Sequence, residues 1–145
     1  MKWIIVAIII VVLGILFFIF KIKQDDMEAK FKERFSGKNI LRLDKHALYV
    51  ARQSDGYKHF RGTGYLVLTD EELYFERLLM KKIIILPVSS ILDVDKTKRL
   101  AGQSPGGFML KITYQTQDGE NDAIAWKVKE LEQWITAVSA IMKNE

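Results

Sequence analysis

An apolar run of eighteen residues near the amino end of the chain constrains the fold more than any other feature. It extends from Trp3 to Phe20, reads WIIVAIIIVVLGILFFIF, and contains no charged side chain. As a helix that rises about 1.5 Å per residue it measures about 27 Å, close to the hydrocarbon thickness of a bilayer. Because backbone groups in lipid must be paired within the segment, the run predicts a transmembrane helix over residues 3–20.

A cleaved signal peptide is the alternative interpretation of this run. The following residues, FFIFKIKQDD, offer no small-residue cleavage site, so we predict a retained single-pass anchor. Lys2 stands on the amino side of the run. The carboxyl side carries the larger set of basic residues, Lys21, Lys23, Lys30, Lys32 and Arg34. By the positive-inside rule the chain is predicted to lie in the cell membrane, with its C-terminal domain in the cytoplasm.

Residues 21–37 are predicted to form a linker helix between the anchor and the domain. Met27, Phe31 and Phe35 recur at four-residue steps and give the segment one apolar edge. The sequence favours a stalk whose apolar edge packs on the following domain over a membrane-surface or self-association helix. Ser36 and Gly37 are predicted to end this helix.

The composition argues against several classes of function. The chain has no cysteine, which excludes disulfides, thiolate metal sites and a thiol nucleophile. Its two histidines, His46 and His59, leave little material for a zinc site or a histidine general base. A formal net charge of +4 is a mild bias, unlike that of a dedicated nucleic-acid binder. We therefore expect no enzyme, no metal, no cofactor and no nucleic-acid partner.

Residues 38–145 have the pattern of an antiparallel β-domain. Asp55-Gly56 and Asp118-Gly119 are hairpin signals between strand-like runs. The first strand contains residues 48–50 and ends near Gln53, and the other strands are predicted at 60–69, 73–79, 83–88, 91–98, 108–115 and 122–126. Seven short strands at this spacing favour a sandwich or barrel. Residues 83–88 are almost wholly apolar, which predicts a strand covered on both faces.

The final segment, from Lys129, is predicted to be one amphipathic helix. Its apolar residues fall at helical spacing, with charged residues on the opposite side. They are Leu131, Trp134, Ile135, Val138, Ile141 and Met142. A helix laid across the open end of a barrel would bury both apolar surfaces, and Trp134 is predicted to plug that opening.

Three stretches together resemble a pleckstrin-homology-like domain of the GRAM and bacterial PH-like subgroup. They are RGTGYLVLTDEELYF, IIILPVSSI and GGFMLKITYQTQDGENDAIAWKVKELEQWITAV, and the resemblance covers roughly Asn39 to Lys143. It implies a barrel of about seven antiparallel strands capped by a C-terminal helix. Within it, Gly62 and Gly64 suit a bulge or sharp bend, and Pro87 suits a strand end.

The resemblance implies a binding module and leaves two kinds of partner open. One is the phospholipid headgroups of its own membrane, and the other is a protein held through a strand edge or the groove beside the helix. The candidate lipid contacts are basic residues around the first hairpin and before a glycine-rich segment. They are Arg52, Lys58, His59, Arg61, Lys96, Lys98 and Arg99. The glycine-rich segment lacks the GxxxxGK[ST] pattern of a phosphate-binding loop.

Overall fold

The computed structural model describes residues 1–56 and 61–144, and the chain divides into two compact units, Met1–Gly37 and Lys38–Glu145. One helix, α1 (Lys2–Arg34), makes up nearly all of the first unit. Within the described residues it is the one helix long and apolar enough to cross a membrane, a test that a signal sequence also passes. α1 runs without a break from the predicted anchor into the predicted linker and ends at Arg34, just before Ser36 and Gly37.

In its described residues the second unit is one antiparallel sheet of seven strands followed by a helix. The strands are β1 (Ile40–Arg52), β2 (Gly62–Thr69), β3 (Glu72–Arg77), β4 (Ile83–Pro87), β5 (Ile91–Thr97), β6 (Met109–Gln115) and β7 (Asn121–Lys127), and the helix is α2 (Leu131–Lys143). The order across the sheet is β4-β3-β2-β1-β7-β6-β5. The prediction of seven antiparallel strands followed by one C-terminal helix is confirmed.

The central strand, β1, joins two meanders into one sheet. Leu48 pairs with Thr63 of β2 on one side and with Lys127 of β7 on the other. Between Asp44 and Ala47 the pairing with β2 shifts, so that β1 contains one more residue than the facing strand. Such a bulge bends a strand and increases its twist. Lys45 and His46 of β1 therefore lie opposite the single residue Tyr65 of β2, and the bulge is in β1, next to the regular pair of Ala47 with Gly64.

Two glycines of β2 allow β3 to approach closely. A Cβ atom on Gly64 would lie 2.0 Å from the backbone oxygen of Glu76. A Cβ atom on Gly62 would lie 2.1 Å from Cδ of the Arg77 side chain. The absence of a side chain at these glycines therefore leaves room for β3. At Gly64 a side chain would collide with the backbone of Glu76, which cannot rotate away.

The core lies between the inner faces of the strands and α2. Tyr49, Phe75 and Trp126 form an aromatic group whose ring centroids are 5.9 to 6.3 Å apart. Trp134 of α2 is 1% exposed and belongs to the same buried cluster, as does Val138. The helix contacts β5, β6 and β1. Burial of these large apolar side chains is the main contribution that holds the helix on the sheet.

The strand β4 is covered on one face, and the prediction of cover on both faces is wrong. Ile84 and Leu86 are each 4% exposed and face the core, whereas Ile83 and Ile85 are 43% and 44% exposed. β4 also stands at the end of the sheet order and pairs with β3 along one edge. Pro87 is its last residue and precedes a short 3₁₀ turn at Val88–Ser90.

The start of α2 is held by a side chain from a distant strand. Helix α2 begins at Leu131, two residues later than predicted, and no side chain caps its first turn. The carboxylate of Asp44, in the β1 bulge, accepts hydrogen bonds from the backbone N–H groups of His46 (2.8 Å) and Lys129 (2.9 Å). The turn into the helix is therefore fixed by β1, in place of the local Asp or Asn cap that is usual.

Replacing Gly64 with alanine is expected to destabilise the domain strongly. The new methyl group meets the Glu76 carbonyl, so the β2–β3 ladder must open, and the free energy of unfolding should fall by about 3 kcal/mol or more. Denaturant unfolding of the full chain in detergent, followed by tryptophan fluorescence, measures this change.

Gly119→Ala provides the matched control. Gly119 has φ +83° but open space around the position of its Cβ atom, so alanine there costs about 1–2 kcal/mol from backbone strain alone. Equal losses in the two variants would contradict the close approach of β3 at Gly64.

Candidate functional site

A buried carboxylate fixes the turn that leads out of β1. After β1 the chain makes a 3₁₀ turn at Gln53–Asp55. Asp122, at the start of β7, is 8% exposed. Its Oδ1 accepts hydrogen bonds from the N–H groups of Ser54 (3.0 Å) and Ala123 (2.8 Å), and its Oδ2 accepts them from Ser54 Oγ (2.6 Å) and the Tyr114 hydroxyl (3.0 Å). Ser54, in the turn that follows β1, is thus bonded to the β6–β7 hairpin.

These contacts set the protonation states at this end of the sheet. Burial alone would raise the pKa of Asp122, but the hydrogen bonds from Ser54, Ala123 and Tyr114 outweigh it and hold that pKa below its usual value. Burial raises the pKa of both Tyr114 and Tyr49 to about 12, although the positive charge of Arg52 works against the rise. At neutral pH the site therefore contains an ionised Asp122 and neutral tyrosines.

Arg52 lies beside this network and is half-buried. Its positive charge opposes the rise in the pKa of Tyr49 and of Tyr114, and its backbone pairs with Ile124, two residues along β7 from Asp122. Its Nε atom is buried and has no hydrogen-bond partner among the described residues. Of the predicted first-hairpin contacts, Arg52 is thus the one in a buried electrostatic setting, while Lys58 and His59 lie outside the described residues.

Arg61 connects the first hairpin to the glycine-rich segment. Its Nη2 donates a hydrogen bond of 2.8 Å to Oε1 of Gln103, in the connection between β5 and β6. That connection is folded onto the domain, because Leu100 and Gln103 exchange backbone hydrogen bonds and Leu100 is 7% exposed. Two regions that the sequence predicted separately therefore meet on one surface.

The lysines at the end of β5 lie over an exposed aromatic ring. The Nζ atoms of Lys96 and Lys98 are 5.2 and 4.9 Å from the ring centroid of Phe108, which is 47% exposed. Lys96 also pairs with Glu132 of α2 at 3.0 Å, so part of its charge is neutralised. Arg99 is exposed, and the Thr97 hydroxyl fixes its backbone through hydrogen bonds to its N–H and carbonyl groups.

We call the resulting patch the basic loop surface and define it by Arg61, Lys98, Arg99, Phe108 and Lys127. Lys127, at the end of β7, belongs to it because its Nζ donates a 2.9 Å hydrogen bond to the carbonyl of Gly106. Residues 97–108 contain no acidic side chain. Sequence reasoning missed Phe108 and Lys127, since their proximity to the loop depends on strand register and on the fold of the connection.

A groove of about 320 Å³ lies beside the start of α2. It is lined by Arg42, Leu43, Asp44, Lys45, His46, Lys129, Glu130 and Trp134. Much of its charge is already paired, because Arg42 binds Glu130 at 2.5 Å and Asp44 accepts the hydrogen bonds that hold the helix entry. Arg42, Asp44 and Glu130 therefore serve the attachment of α2.

Comparison with known proteins identifies the fold. No protein-family model matches the sequence, and no curated protein matches it. The similar solved structures include a chain of the 8S snRNP assembly intermediate, with a TM-score of 0.58 and 9% identity over 74% of this chain and 84% of that one. The C-terminal domain of an unknown protein from Leishmania infantum has a TM-score of 0.54 and 17% identity, over 81% of this chain and 98% of that one.

A third solved structure carries the fold assignment. It is human RhoA in complex with the DH/PH fragment of PDZRHOGEF, with a TM-score of 0.52 and 12% identity. The match covers 81% of this chain and 32% of that one. The fold is pleckstrin-homology-like. The GRAM subgroup stays a prediction.

Replacing Asp122 with asparagine is expected to weaken the PH-like domain and to change its response to acid. The NH₂ group of the new asparagine would face the Ser54 and Tyr114 hydroxyls or backbone N–H groups, which are donors themselves. The free energy of unfolding at neutral pH should therefore fall by about 1–3 kcal/mol. Because the native pKa is lowered from 3.8, Asp122 contributes its stability above that pH and loses it as the pH falls through the native value. The wild type and the variant should therefore converge below about pH 4.

Unfolding curves between pH 7 and pH 3 test this expectation. Asp118→Asn, in the exposed β6–β7 turn, is the control and should match the wild type throughout. A gap between wild type and Asp122→Asn that stays constant down to pH 3 would show that the charge of Asp122 is not what stabilises the hairpin.

Proposed function

We propose that this protein is a non-catalytic, membrane-tethered binding module that contacts the anionic phospholipid headgroups of its own membrane. The observation that carries the proposal is the hydrogen bond between Arg61 and Gln103. Through it, basic residues from the first hairpin, from the glycine-rich connection and from β7 form one basic loop surface.

The chemistry of this surface suits a lipid headgroup. Guanidinium and ammonium groups donate charge-assisted hydrogen bonds to phosphate oxygens, and arginine can donate two at once. Each basic side chain near an anionic bilayer contributes about 1 kcal/mol. The exposed ring of Phe108, flanked by Lys98, adds apolar area of the kind that membrane-surface segments bury beside basic residues.

The amino-terminal helix makes weak contacts sufficient. We infer that α1 is retained as a single-pass anchor with the domain in the cytoplasm, where the leaflet is anionic. A tethered domain meets its own membrane at an effective concentration in the millimolar range, so modest headgroup affinity keeps it docked. A surface of scattered cations, in place of a closed phosphate clamp, fits that situation.

A protein partner bound by strand addition is the second candidate function. Among the described strands β4 pairs with β3 alone, which leaves its other backbone edge available. Ile83 and Ile85 on β4 are more than two-fifths exposed and would flank an added peptide strand. The groove beside α2 suits a partner less well, because Arg42, Asp44 and Glu130 already use their charges within the domain.

A single fluorescent probe on the basic loop surface can test headgroup contact. The chain has no cysteine, so Ser104→Cys, at an exposed position of the connection, gives one labelling site for an environment-sensitive dye. In nanodiscs that contain the full chain, the dye should shift to shorter wavelengths with anionic lipid and should not shift with neutral lipid. Reversing Lys98 and Arg99 to glutamate should abolish the shift and weaken docking by more than about tenfold.

Two controls decide the interpretation. A dye at Asp118→Cys, in the exposed turn of the β6–β7 hairpin, should give the same emission in both kinds of disc. Lys143→Glu, at the end of α2, changes one charge outside the surface and should leave the Ser104 signal unchanged. Equal emission from the Ser104 probe in neutral and anionic discs would refute headgroup contact and would favour the strand-addition candidate.

A further inference from the structure

The turn between β3 and β4 presents two large apolar side chains to solvent. Leu79 is 49% exposed and Met80 is 78% exposed, the latter more than any other large apolar residue of the described part of the second unit. Lys81 and Lys82 follow directly; Lys81 is exposed and Lys82 is half-buried. We call residues 79–82 the β3–β4 wedge. The side chains of Leu79 and Met80 do not belong to the core, so their apolar character has no evident role in folding.

Met80 also adopts an unfavourable backbone conformation. Its φ is +51°, in the left-handed region that glycine, asparagine or aspartate usually occupies in a tight turn. A residue that breaks local preference and exposes an apolar side chain at the same place indicates a function for that side chain.

The wedge is held rigidly by its neighbours. The Nε and Nη2 atoms of Arg77 both donate hydrogen bonds to the carbonyl of Met80. The Arg77 N–H donates to the Lys82 carbonyl at 2.9 Å, and the Leu78 N–H donates to the Thr63 carbonyl at 2.9 Å. Because the turn is already formed, its binding to a partner or a bilayer costs little conformational entropy.

The wedge adjoins the basic loop surface. The Arg77 side chain lies against Gly62, and Leu78 bonds to Thr63, so the wedge begins beside the start of β2. Arg61 directly precedes Gly62 and donates a hydrogen bond to Gln103 of the β5–β6 connection. The apolar pair and the cations of the basic loop surface are therefore linked through one short stretch of β2.

The charges of the wedge favour an anionic bilayer. Lys81 is 63% exposed at its side chain, and its Nζ lies 3.8 Å from a carboxylate oxygen of Glu76, near the upper distance limit for an ion pair. Lys82 extends over the ring of Tyr49, with Nζ 5.3 Å from the centroid. Lysine stems can lie along apolar surface while their ammonium groups stay among phosphates. A projecting apolar tip flanked by cations fits a lipid interface better than it fits a protein groove.

We propose that the β3–β4 wedge inserts Leu79 and Met80 into the boundary between headgroups and acyl chains of an anionic bilayer, while Lys81 and Lys82 bind headgroup phosphates. This inference rests on the proposed function and deepens it, since it names the part of the domain that enters the membrane. The apolar area supplies binding energy, and the cations make that binding depend on anionic lipid.

Depth-dependent quenching in nanodiscs tests the insertion. The full chain carries an environment-sensitive dye at Met80→Cys, or at Asp70→Cys in the β2–β3 turn at the other end of β3. Lipids with a quencher high on the acyl chain should quench the Met80 dye in anionic discs and leave the Asp70 dye unchanged. Lys81→Glu combined with Lys82→Glu should lower the ratio of docked to undocked domain by more than about tenfold.

A second variant separates membrane insertion from folding. Met80→Gly relieves the left-handed strain, so the domain should be at least as stable as the wild type while its docking, reported by the Ser104 probe, weakens. Unchanged docking of Met80→Gly, or equal quenching at positions 80 and 70, would overturn the wedge. If the Ser104 probe still responds to anionic lipid in that case, headgroup contact stands without insertion, and if neither probe responds, both proposals fail.

Discussion

The pairing of β1 with two different strands is the constraint on which the rest of the domain depends. Tyr49 pairs with Gly62 of β2 and also with Trp126 of β7, and its ring packs against Phe75 and Trp126. β1 serves both neighbours because an interior strand offers one hydrogen-bonding edge to each. Its bulge after Asp44 presents the Asp44 carboxylate to the start of α2, so the strand that joins the two halves of the sheet also holds the helix.

The domain uses two buried acidic residues for structure and leaves the basic residues of the β5–β6 connection outside. Asp44 and Asp122 are 7% and 8% exposed, and both accept backbone N–H groups at points where the chain changes direction. Lys98 and Arg99, in contrast, stand on an exposed connection that contains no carboxylate. Although the net charge is only +4, this arrangement concentrates positive potential on one surface.

Much of the fold could be predicted from the sequence because its signals are local. The Asp118-Gly119 turn and the helical spacing around Trp134 each depend on residues close in the chain. The bulge in β1 and the exposed face of β4 could not be predicted, because both depend on register and on position in the sheet. The Arg61–Gln103 contact joins residues far apart in sequence, so the candidate surface appears only once the connection is folded. The sequence shows that Met80 lies between two strand-like runs. The exposure of its side chain and its left-handed backbone conformation could be seen only in the structure.

Hydrogen exchange of the full chain in nanodiscs tests the central claim most directly, because it maps membrane contact without labels or substitutions. The account predicts that, on going from neutral to anionic lipid, amides of residues 97–108 and 78–82 exchange more slowly, while those of the turn around Gly119 are unaffected. Slower exchange confined to β4 would instead indicate a strand partner. Identical exchange in the two lipids at 97–108 and 78–82 would contradict the claim that this PH-like domain docks on its own membrane.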